Sequence, residues 1–389
     1  MFIRTCLLLC IATSSYAQSY QKLHQKALVV DTHNDILSAI MKGLNIENDL
    51  TGQTHSDIAR WKKGGVDVQV FSVFCDERYG KGTAFAYANR EIDSLYAIVK
   101  RNPKTLMLTT SPTELQKAVS QGKMACMIGV EGGHMIEDNL TYLDSLYKRG
   151  ARYLTLTWNN STSWATSAKD ETAGTVTNAK KGLNDFGKQV VRRMNELGMM
   201  VDVSHIGEQT FWDVIATTTK PVIASHSCVY AICPHSRNLK DDQIKAIGKN
   251  GGVIQLNFYS GFLDSNYMKR KDAFLASRSN ERDSLKAAGM TSYSIDEWIS
   301  KKYPQEAEAL RPTMSQLLDH IDYIVRLIGV DGVGLGSDFD GIESTPQHLD
   351  DVTTFPLITK ALLERGYSEK DVKKILGENF LRVFKANSK

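Results

Sequence analysis

The chain has 389 residues, of which 42% are hydrophobic and 23% are charged. These fractions are typical of a folded globular protein and exclude a disordered chain, a coiled coil and a polytopic membrane protein. Lysine and arginine number 47 and aspartate and glutamate 44, so the formal charge of +3 is too small to indicate nucleic-acid binding.

Residues 1–17 have the pattern of a secretory signal peptide. Arg4 supplies a positive charge, a short apolar run follows it, and small residues precede a cleavage site after Ala17. The alternative to a signal peptide is a buried N-terminal strand. We predict export to the periplasm or the extracellular space, and one domain in residues 18–389. The apolar run is too short to span a bilayer, and the surroundings of Cys10 do not favour lipid anchoring.

Eight short apolar runs alternate with amphipathic stretches along the rest of the chain. Each run is too short for a helix, and most have the continuous apolar pattern of buried parallel strands. Eight strand–helix alternations predict an α/β protein with a (β/α)8 TIM barrel. The alternative is a doubly wound open sheet, whose usual glycine-rich phosphate motif does not occur in this sequence. The runs are Ala27–Val30, Val66–Phe74, Met124–Val130, Tyr153–Thr157, Met199–Val203, Val222–Ser225, Gly252–Phe258 and Gly332–Gly336.

The segment 266–311, between the seventh and eighth runs, departs from this alternation. Of its 46 residues 16 are charged, about 35% compared with 23% for the whole chain. We interpret the segment as a helical insertion on a loop of the barrel, where it forms a lid or an oligomer contact. A solvated excursion without function is the alternative.

Four cysteines follow the signal peptide. None has the CxxC spacing of a metal site, and four in so long a chain do not form a disulfide framework. We predict free buried thiols, with a bridge between Cys228 and Cys233 as the alternative. The other two cysteines are Cys75 and Cys126.

Potential metal ligands occur at the ends of five of the eight runs. The carboxyl ends of barrel strands form the active site, so these side chains converge on one axis. Their charges would repel one another there, and a bound cation removes that repulsion. The residues include His33, Asp35, Glu131, His205, His226 and Asp338.

His33 and Asp35 lie two residues apart, so on an extended chain both point to one face and can bind one cation. With His205 and His226 as a second pair and Glu131 between the pairs, the pattern predicts two metal ions bridged by a carboxylate. Nitrogen and oxygen ligands without thiolate favour zinc over manganese, cobalt or iron.

Asp338, at the end of the eighth run, is the candidate proton carrier. A metal pair lowers the pKa of bound water and supplies hydroxide. A separate carboxylate then passes the proton to the leaving nitrogen. The alternative role for Asp338 is to cap the turn in Ser-Asp-Phe-Asp-Gly, although Asp340 is better placed for that.

Six strings occur in order along the chain: VVDTHND, IGVEGGH, GLNDFGKQVVRRMNELGMMVDVSH, PVIASHS, PHSRNL and GVGLGSDFDG. Because of these strings, the sequence from about Ala27 to Phe384 resembles the membrane dipeptidases, also called renal-type zinc dipeptidases. The resemblance implies a TIM barrel of the metal-dependent hydrolase type, two zinc ions, a dipeptide substrate and a homodimer. It also implies hydrolysis of β-lactam rings as a side activity.

The resemblance carries over to the five candidate ligands one by one. His33 and Asp35 match the ligands of the first metal. Glu131 matches the bridging carboxylate, and His205 and His226 match the histidines of the second metal.

Four further residues acquire roles from the same resemblance. Asp338 matches the catalytic acid/base. Arg237 matches the arginine that grips the C-terminal carboxylate of the dipeptide, for which a bidentate guanidinium is suited. Asn257 and Tyr259 are expected in the wall of the substrate cleft.

One position departs from the family pattern. Well-studied members have a histidine directly after the LTLT of the fourth strand, where it touches the substrate carbonyl or its tetrahedral intermediate. Here Trp158 stands at that position, and an indole donates one hydrogen bond but cannot become a cation. Either Trp158 or Asn159 partly replaces that donor, or the oxyanion depends more on the metals. Alternatively, Trp158 is a hydrophobic wall that shapes a pocket for a different side chain.

We therefore predict an exported zinc dipeptidase with a two-metal hydroxide mechanism. One rival function is that of an amidohydrolase or deaminase with the same barrel. Those enzymes often carry HxH and a carboxylated lysine, whereas this sequence has His33-x-Asp35 and Glu131. The other rival is a metal-dependent binding protein that has lost catalysis, which only Trp158 favours.

Overall fold

The structure is a computed structural model that describes residues 20–177, 179–290 and 292–389. The signal peptide predicted for residues 1–17 lies outside the described residues. Within the described ranges, no helix combines the length and the apolar character needed to cross a membrane.

Among the residues that the structure describes, nine parallel strands form one sheet. They are β1 (Val30–Asn34), β2 (Val68–Phe74), β3 (Leu106–Leu108), β4 (Met124–Glu131), β5 (Ala151–Thr155), β6 (Met200–Asp202), β7 (Ile223–Ser227), β8 (Val253–Leu256) and β9 (Val333–Leu335). Eight of them follow one another in the order β1-β2-β4-β5-β6-β7-β8-β9. The sheet curls round so that Asn34 bridges Phe339, and the Asp338 amide donates to the His33 carbonyl at 3.1 Å. The predicted barrel is therefore confirmed.

Amphipathic helices alternate with these strands and pack against them. The helix 185–197 shows why: Asn184 caps its first turn, Val190, Val191 and Met194 are buried on one face, and Gly198 ends it with a φ of 86°. The helices of the barrel layer and its loops are Ile36–Met41, Ile58–Gly64, Ala84–Arg101, Pro112–Ser120, Leu140–Lys148, Ala168–Ala173, Asp185–Leu197, Glu208–Thr217, Asp241–Asn250, Met314–Ile328, Phe355–Glu364, Glu369–Lys373 and Asn379–Asn387.

The sequence pattern did not predict β3, and the reason is its length. Three residues are too few to show either a periodicity or a continuous apolar run. β3 pairs with the first residues of β4, from Leu106 opposite Met124 to Leu108 opposite Cys126, and lies off the path of the barrel.

The first strand begins where the predicted run Ala27–Val30 ends. Its polar residues pair with β2, with Asp31 opposite Gln69. They are fully buried because partners satisfy them; Ser337 donates its hydroxyl to the Asp31 carboxylate at 2.7 Å. His33 therefore lies within the strand itself.

Between β8 and β9 the described residues of the charged segment 266–311 form four helices, which follow the short helix Ser260–Leu263. The buried side chains Phe274, Leu275, Ile295 and Ile299 form an apolar cluster separate from the barrel core. A role for the segment as a lid or an oligomer contact stays a prediction. The four helices are Tyr267–Ala276, Ser279–Ala287, Ser292–Lys302 and Pro304–Leu310.

The four described cysteines are buried free thiols. Cys228 Sγ donates to the Asn257 carbonyl at 3.2 Å and Cys233 Sγ to the Gly261 carbonyl at 3.4 Å, so they bond to different backbone groups. The prediction of free thiols is confirmed, and the alternative bridge is not formed in this structure.

Candidate metal centre and active site

The carboxyl ends of five barrel strands bring the candidate ligands together. His33 and His226 lie inside β1 and β7, and Glu131 is the last residue of β4. The remaining side chains come from turns that begin directly after a strand. The residues in these turns are Asp35 after β1, His205 after β6 and Asp338 after β9.

Glu131 lies between two groups of nitrogen and oxygen atoms. Its Oε1 is 2.9 Å from His205 Nε2 and 3.4 Å from His226 Nε2. Its Oε2 is 3.5 Å from His33 Nε2, which is itself 3.5 Å from Asp35 Oδ2. Because the two oxygens of one carboxylate face different groups, Glu131 has the placement that a bridging ligand requires.

Tyr153 determines which nitrogen of His33 faces the cluster. The Tyr153 hydroxyl donates to the Thr32 carbonyl at 3.0 Å, so it accepts from His33 Nδ1 at 2.9 Å. A neutral imidazole has one N–H, and Nε2 therefore keeps a lone pair directed at the carboxylates. Gly129 makes room for this tyrosine, since a Cβ there would lie 2.0 Å from Tyr153 Cζ.

Asp202 has the same effect on His226 through Ser225. The Ser225 hydroxyl donates to Asp202 Oδ2 at 2.6 Å, and it therefore accepts from His226 Nδ1 at 2.8 Å. The backbone amides of Ser204 and Ser225 hold the other Asp202 oxygen at 3.0 and 2.8 Å. Such outer partners orient a histidine and leave its Nε2 free as a ligand.

Burial keeps two of the three histidines neutral. It lowers the pKa of His205 to about 4, with help from the charge of Arg237, and it lowers the pKa of His226 well below its ordinary value. Burial also opposes the charged form of His33, but Tyr153, Glu131 and Asp35 raise the pKa of His33 well above its ordinary value. A cation among these carboxylates would take the place of that proton.

The two central carboxylates shift in opposite directions. Burial alone would raise the pKa of Glu131, but the charge of His33 and the hydrogen bond from His205 hold it well below its ordinary value. Burial raises the pKa of Asp338 well above its ordinary value, and it outweighs the opposing charge of His33.

The cluster fits a pair of cations. His33 Nε2 and Asp35 Oδ1 are buried and have no hydrogen-bond partner among the described residues. His205 Nε2 and His226 Nε2 are only 3.0 Å apart. Buried polar atoms without partners cost free energy, and cations coordinated here would satisfy them. Donor atoms of His33, Glu131 and His226, and likewise of His33, Asp35 and Asp338, lie within 4.8 Å of one another.

Asp338 is held at the edge of this cluster by Asn257. Asn257 Nδ2 donates to Asp338 Oδ2 at 2.7 Å, while Asn257 Oδ1 accepts from the Tyr259 amide at 2.6 Å. Both ends of the Asn257 amide are thus engaged by the protein. The other oxygen, Asp338 Oδ1, lies 3.9 Å from His33 Nε2.

Two site residues have an unusual backbone. His205 has a φ of 64° and Asp338 a φ of 61°, a left-handed region that residues other than glycine seldom adopt and that recurs at functional sites. Asp340 also has a positive φ, but its Oδ1 accepts from the His55 amide at 2.6 Å and so ties the loop down.

Arg237 is buried without a carboxylate partner. Only 7% of it is exposed, and no carboxylate of the described chain lies within 4.0 Å. Its Nη2 donates to the His226 carbonyl at 3.3 Å, its Nε has no partner among the described residues, and the guanidinium carbon is 5.5 Å from the centre of the Phe262 ring. An unpaired buried charge is costly, which favours an anionic ligand here.

The remaining candidates, Trp158, Asn159 and Tyr259, follow β5 and β8 at the mouth of the barrel, the end where the carboxyl ends of the strands meet. Trp158 is half-buried against Phe74, with ring centres 4.9 Å apart. The Asn159 carbonyl accepts from the Ser167 hydroxyl at 2.8 Å. The Tyr259 hydroxyl donates to Glu343 at 2.9 Å.

Sequence reasoning missed Tyr153 and Asp202, which orient two of the histidines. A signal for Asp202 was present, because it is a carboxylate inside a predicted buried strand and needs partners there. Tyr153 gave no comparable signal, since tyrosine is common in strands.

The family model of the membrane dipeptidases, peptidase family M19, matches residues 17–389. The probable dipeptidase PvdM from Pseudomonas aeruginosa superposes with a TM-score of 0.77 at 25% identity, over 96% of this chain and 98% of that one. The dipeptidase AC, a metallopeptidase, superposes with a TM-score of 0.75 at 24% identity, over 93% of this chain and 98% of that one. A metallopeptidase from Rhodobacter sphaeroides, bound to a phosphinate mimic of the dipeptide L-Ala-D-Ala, superposes with a TM-score of 0.72 at 23% identity, over 93% of this chain and 99% of that one. This chain belongs to the membrane dipeptidase family.

Proposed function

We propose that the protein is an exported zinc dipeptidase that hydrolyses the peptide bond of dipeptides with a free C-terminal carboxylate. The observation that carries the proposal is the division of Glu131 between two ligand groups, with the buried, unpaired Arg237 beside them. Export, cleavage after Ala17 and a homodimer are parts of the same proposal.

The two ligand groups around Glu131 support one cation in each. His33, Asp35 and Glu131 Oε2 would hold one, and His205, His226 and Glu131 Oε1 would hold the other. This donor set contains no thiolate and suits zinc better than manganese, cobalt or iron. The cations would supply Lewis acidity toward the scissile carbonyl and would lower the pKa of water at the site.

Asp338 would move the proton. Asn257 holds its Oδ2, so Oδ1 faces the ligand cluster and is free to accept a proton from the attacking water. The same oxygen would then return the proton to the nitrogen of the departing amine. Asn257 thus positions the carboxylate, while Tyr259 fixes the direction of the Asn257 amide through its backbone N–H.

Arg237 would bind the substrate carboxylate through paired charge-assisted hydrogen bonds. A β-lactam that carries a carboxylate next to its ring amide presents the same two features to the site. We therefore include β-lactam hydrolysis as a side activity. Trp158 and Asn159 follow β5 and would contact the rest of the substrate.

The substitution Arg237→Gln tests this function. We expect kcat/KM for free dipeptides to fall about 10- to 100-fold, since hydrogen bonds to a charged group contribute about 1.5–3 kcal/mol. Hydrolysis of the C-terminally amidated dipeptide should change little. Steady-state kinetics on the acid and amide forms of one dipeptide provide the measurement.

Arg237→Lys is the matched control, because it keeps the charge but loses the bidentate geometry. We expect it to be intermediate between the wild type and Arg237→Gln. An unchanged preference for acid over amide in Arg237→Gln would show that the carboxylate binds elsewhere.

A further inference from the structure

We infer that Phe74 and Trp158 form the subsite for the side chain of the substrate's N-terminal residue, and that this subsite favours dipeptides with a large apolar residue there. The inference rests on the proposed function and narrows its substrate class.

The two aromatic residues lie on either side of Glu131. Phe74 is the register partner of Glu131 in the ladder between β2 and β4. On the other side, Glu131 pairs with Thr155, the last residue of β5, and Trp158 follows three residues later. The rings of Phe74 and Trp158 contact each other with their planes tilted by 58°. They therefore form one apolar surface beside the proposed bridging ligand.

This surface is fixed in place yet still partly open. The Phe74 amide donates to Glu91 at 2.8 Å, and the Asn159 carbonyl next to Trp158 accepts from Ser167. Both aromatic side chains are half-buried, so part of each ring remains accessible at the mouth of the barrel. A rigid apolar wall loses little conformational entropy when a side chain packs against it.

Arg237 lies on the opposite side of the mouth. It follows β7 and packs beside Phe262, which follows β8. Phe74 ends β2 and Trp158 follows β5, so the aromatic surface spans the end of β4, and β7 and β8 lie three and four strands from β4 in the barrel order. A dipeptide bound by its carboxylate at Arg237, with its peptide bond over the ligand cluster, must therefore direct its N-terminal residue toward Phe74 and Trp158.

The chemistry of the surface defines what it accepts. Two aromatic rings offer apolar area and ring faces, which suit leucine, methionine or phenylalanine side chains. Burying such a side chain is expected to raise kcat/KM about 10- to 100-fold over a glycine at the same position.

The test compares two dipeptide series in the full, zinc-loaded protein. One series varies the N-terminal residue as Gly-Ala, Leu-Ala and Phe-Ala, and the other varies the C-terminal residue as Ala-Gly, Ala-Leu and Ala-Phe. In the wild type we expect the first series to show the 10- to 100-fold preference for the large residue. In Trp158→Ala that preference should largely disappear, while the ratios within the second series stay as in the wild type.

Trp158→Phe is the matched variant that separates this subsite from an oxyanion donor. Phenylalanine keeps an aromatic wall but has no N–H, so the preference for a large N-terminal residue should survive in it. Calorimetric binding of phosphinate mimics of Phe-Ala and Gly-Ala should show the same pattern without turnover.

Two results would overturn the inference while leaving the proposed function intact. One is an unchanged N-terminal preference in Trp158→Ala. The other is an equal loss of kcat for every dipeptide in both variants, which would assign Trp158 to the reacting carbonyl. A wild-type protein that hydrolyses no member of either series would contradict the proposed function and this inference with it.

Discussion

Asp338→Asn is expected to lower kcat for dipeptide hydrolysis by about 10²- to 10⁴-fold and to leave the metal content unchanged. Asparagine has nearly the same shape and tolerates the positive φ of 61° at this position. Its amide cannot take up and return a proton, so the loss is confined to the chemical step. Single-turnover kinetics and elemental analysis of the same preparation provide the measurement.

Asp340→Asn is the matched control for this variant. Asp340 lies two residues away in the same turn, also has a positive φ, and accepts from the His55 amide instead of facing the ligands. We expect it to retain most of the activity. Equal hydrolysis by Asp338→Asn and the wild type would exclude Asp338 as the proton carrier, and equal losses in both variants would point to a structural role for the turn.

Glu131→Gln is expected to reduce the bound zinc from the two proposed ions to at most one and to lower kcat/KM by about 10³-fold or more, because the proposed metal pair would no longer be complete and able to supply hydroxide. Glutamine has one carbonyl oxygen, and its NH2 group is a donor that cannot ligate a cation. Residue 131 would then offer an oxygen ligand to only one of the two groups around it. Zinc stoichiometry after dialysis, measured together with dipeptide hydrolysis, tests this.

A second buried glutamate offers the control. Glu91 accepts from the Phe74 amide, and burial raises its pKa well above the ordinary value, so glutamine closely resembles its protonated form. Glu91→Gln should keep both zinc ions. Two zinc ions per chain and full activity in Glu131→Gln would contradict the assignment of Glu131 as the bridge.

Much of the barrel was predictable because its strands are continuously apolar. Parallel strands covered on both faces need hydrophobic residues throughout, and seven of the eight predicted runs overlap an observed strand over most of its length. The exception is β1, where Asp31 and Thr32 are buried with partners on strands far away in sequence. No local pattern shows such partners in advance.

The candidate ligands were predictable for a related reason. The topology brings the carboxyl ends of the strands together, so residue type at each strand end was informative. The pairings that orient those ligands were not, since they depend on register. Tyr153 reaches His33 only because Gly129, having no side chain, leaves room for the tyrosine ring. The unpaired burial of Arg237 likewise appears only once the chain is folded.

Dipeptide hydrolysis by the wild-type protein before chelation, after chelation and after zinc is restored tests the central proposal most directly. We expect two zinc ions per chain in active protein, loss of hydrolysis when a chelator removes them, and recovery when zinc returns. Undiminished hydrolysis by protein that holds only traces of metal would contradict the proposal. So would a lack of hydrolysis of any free dipeptide by protein that holds two zinc ions.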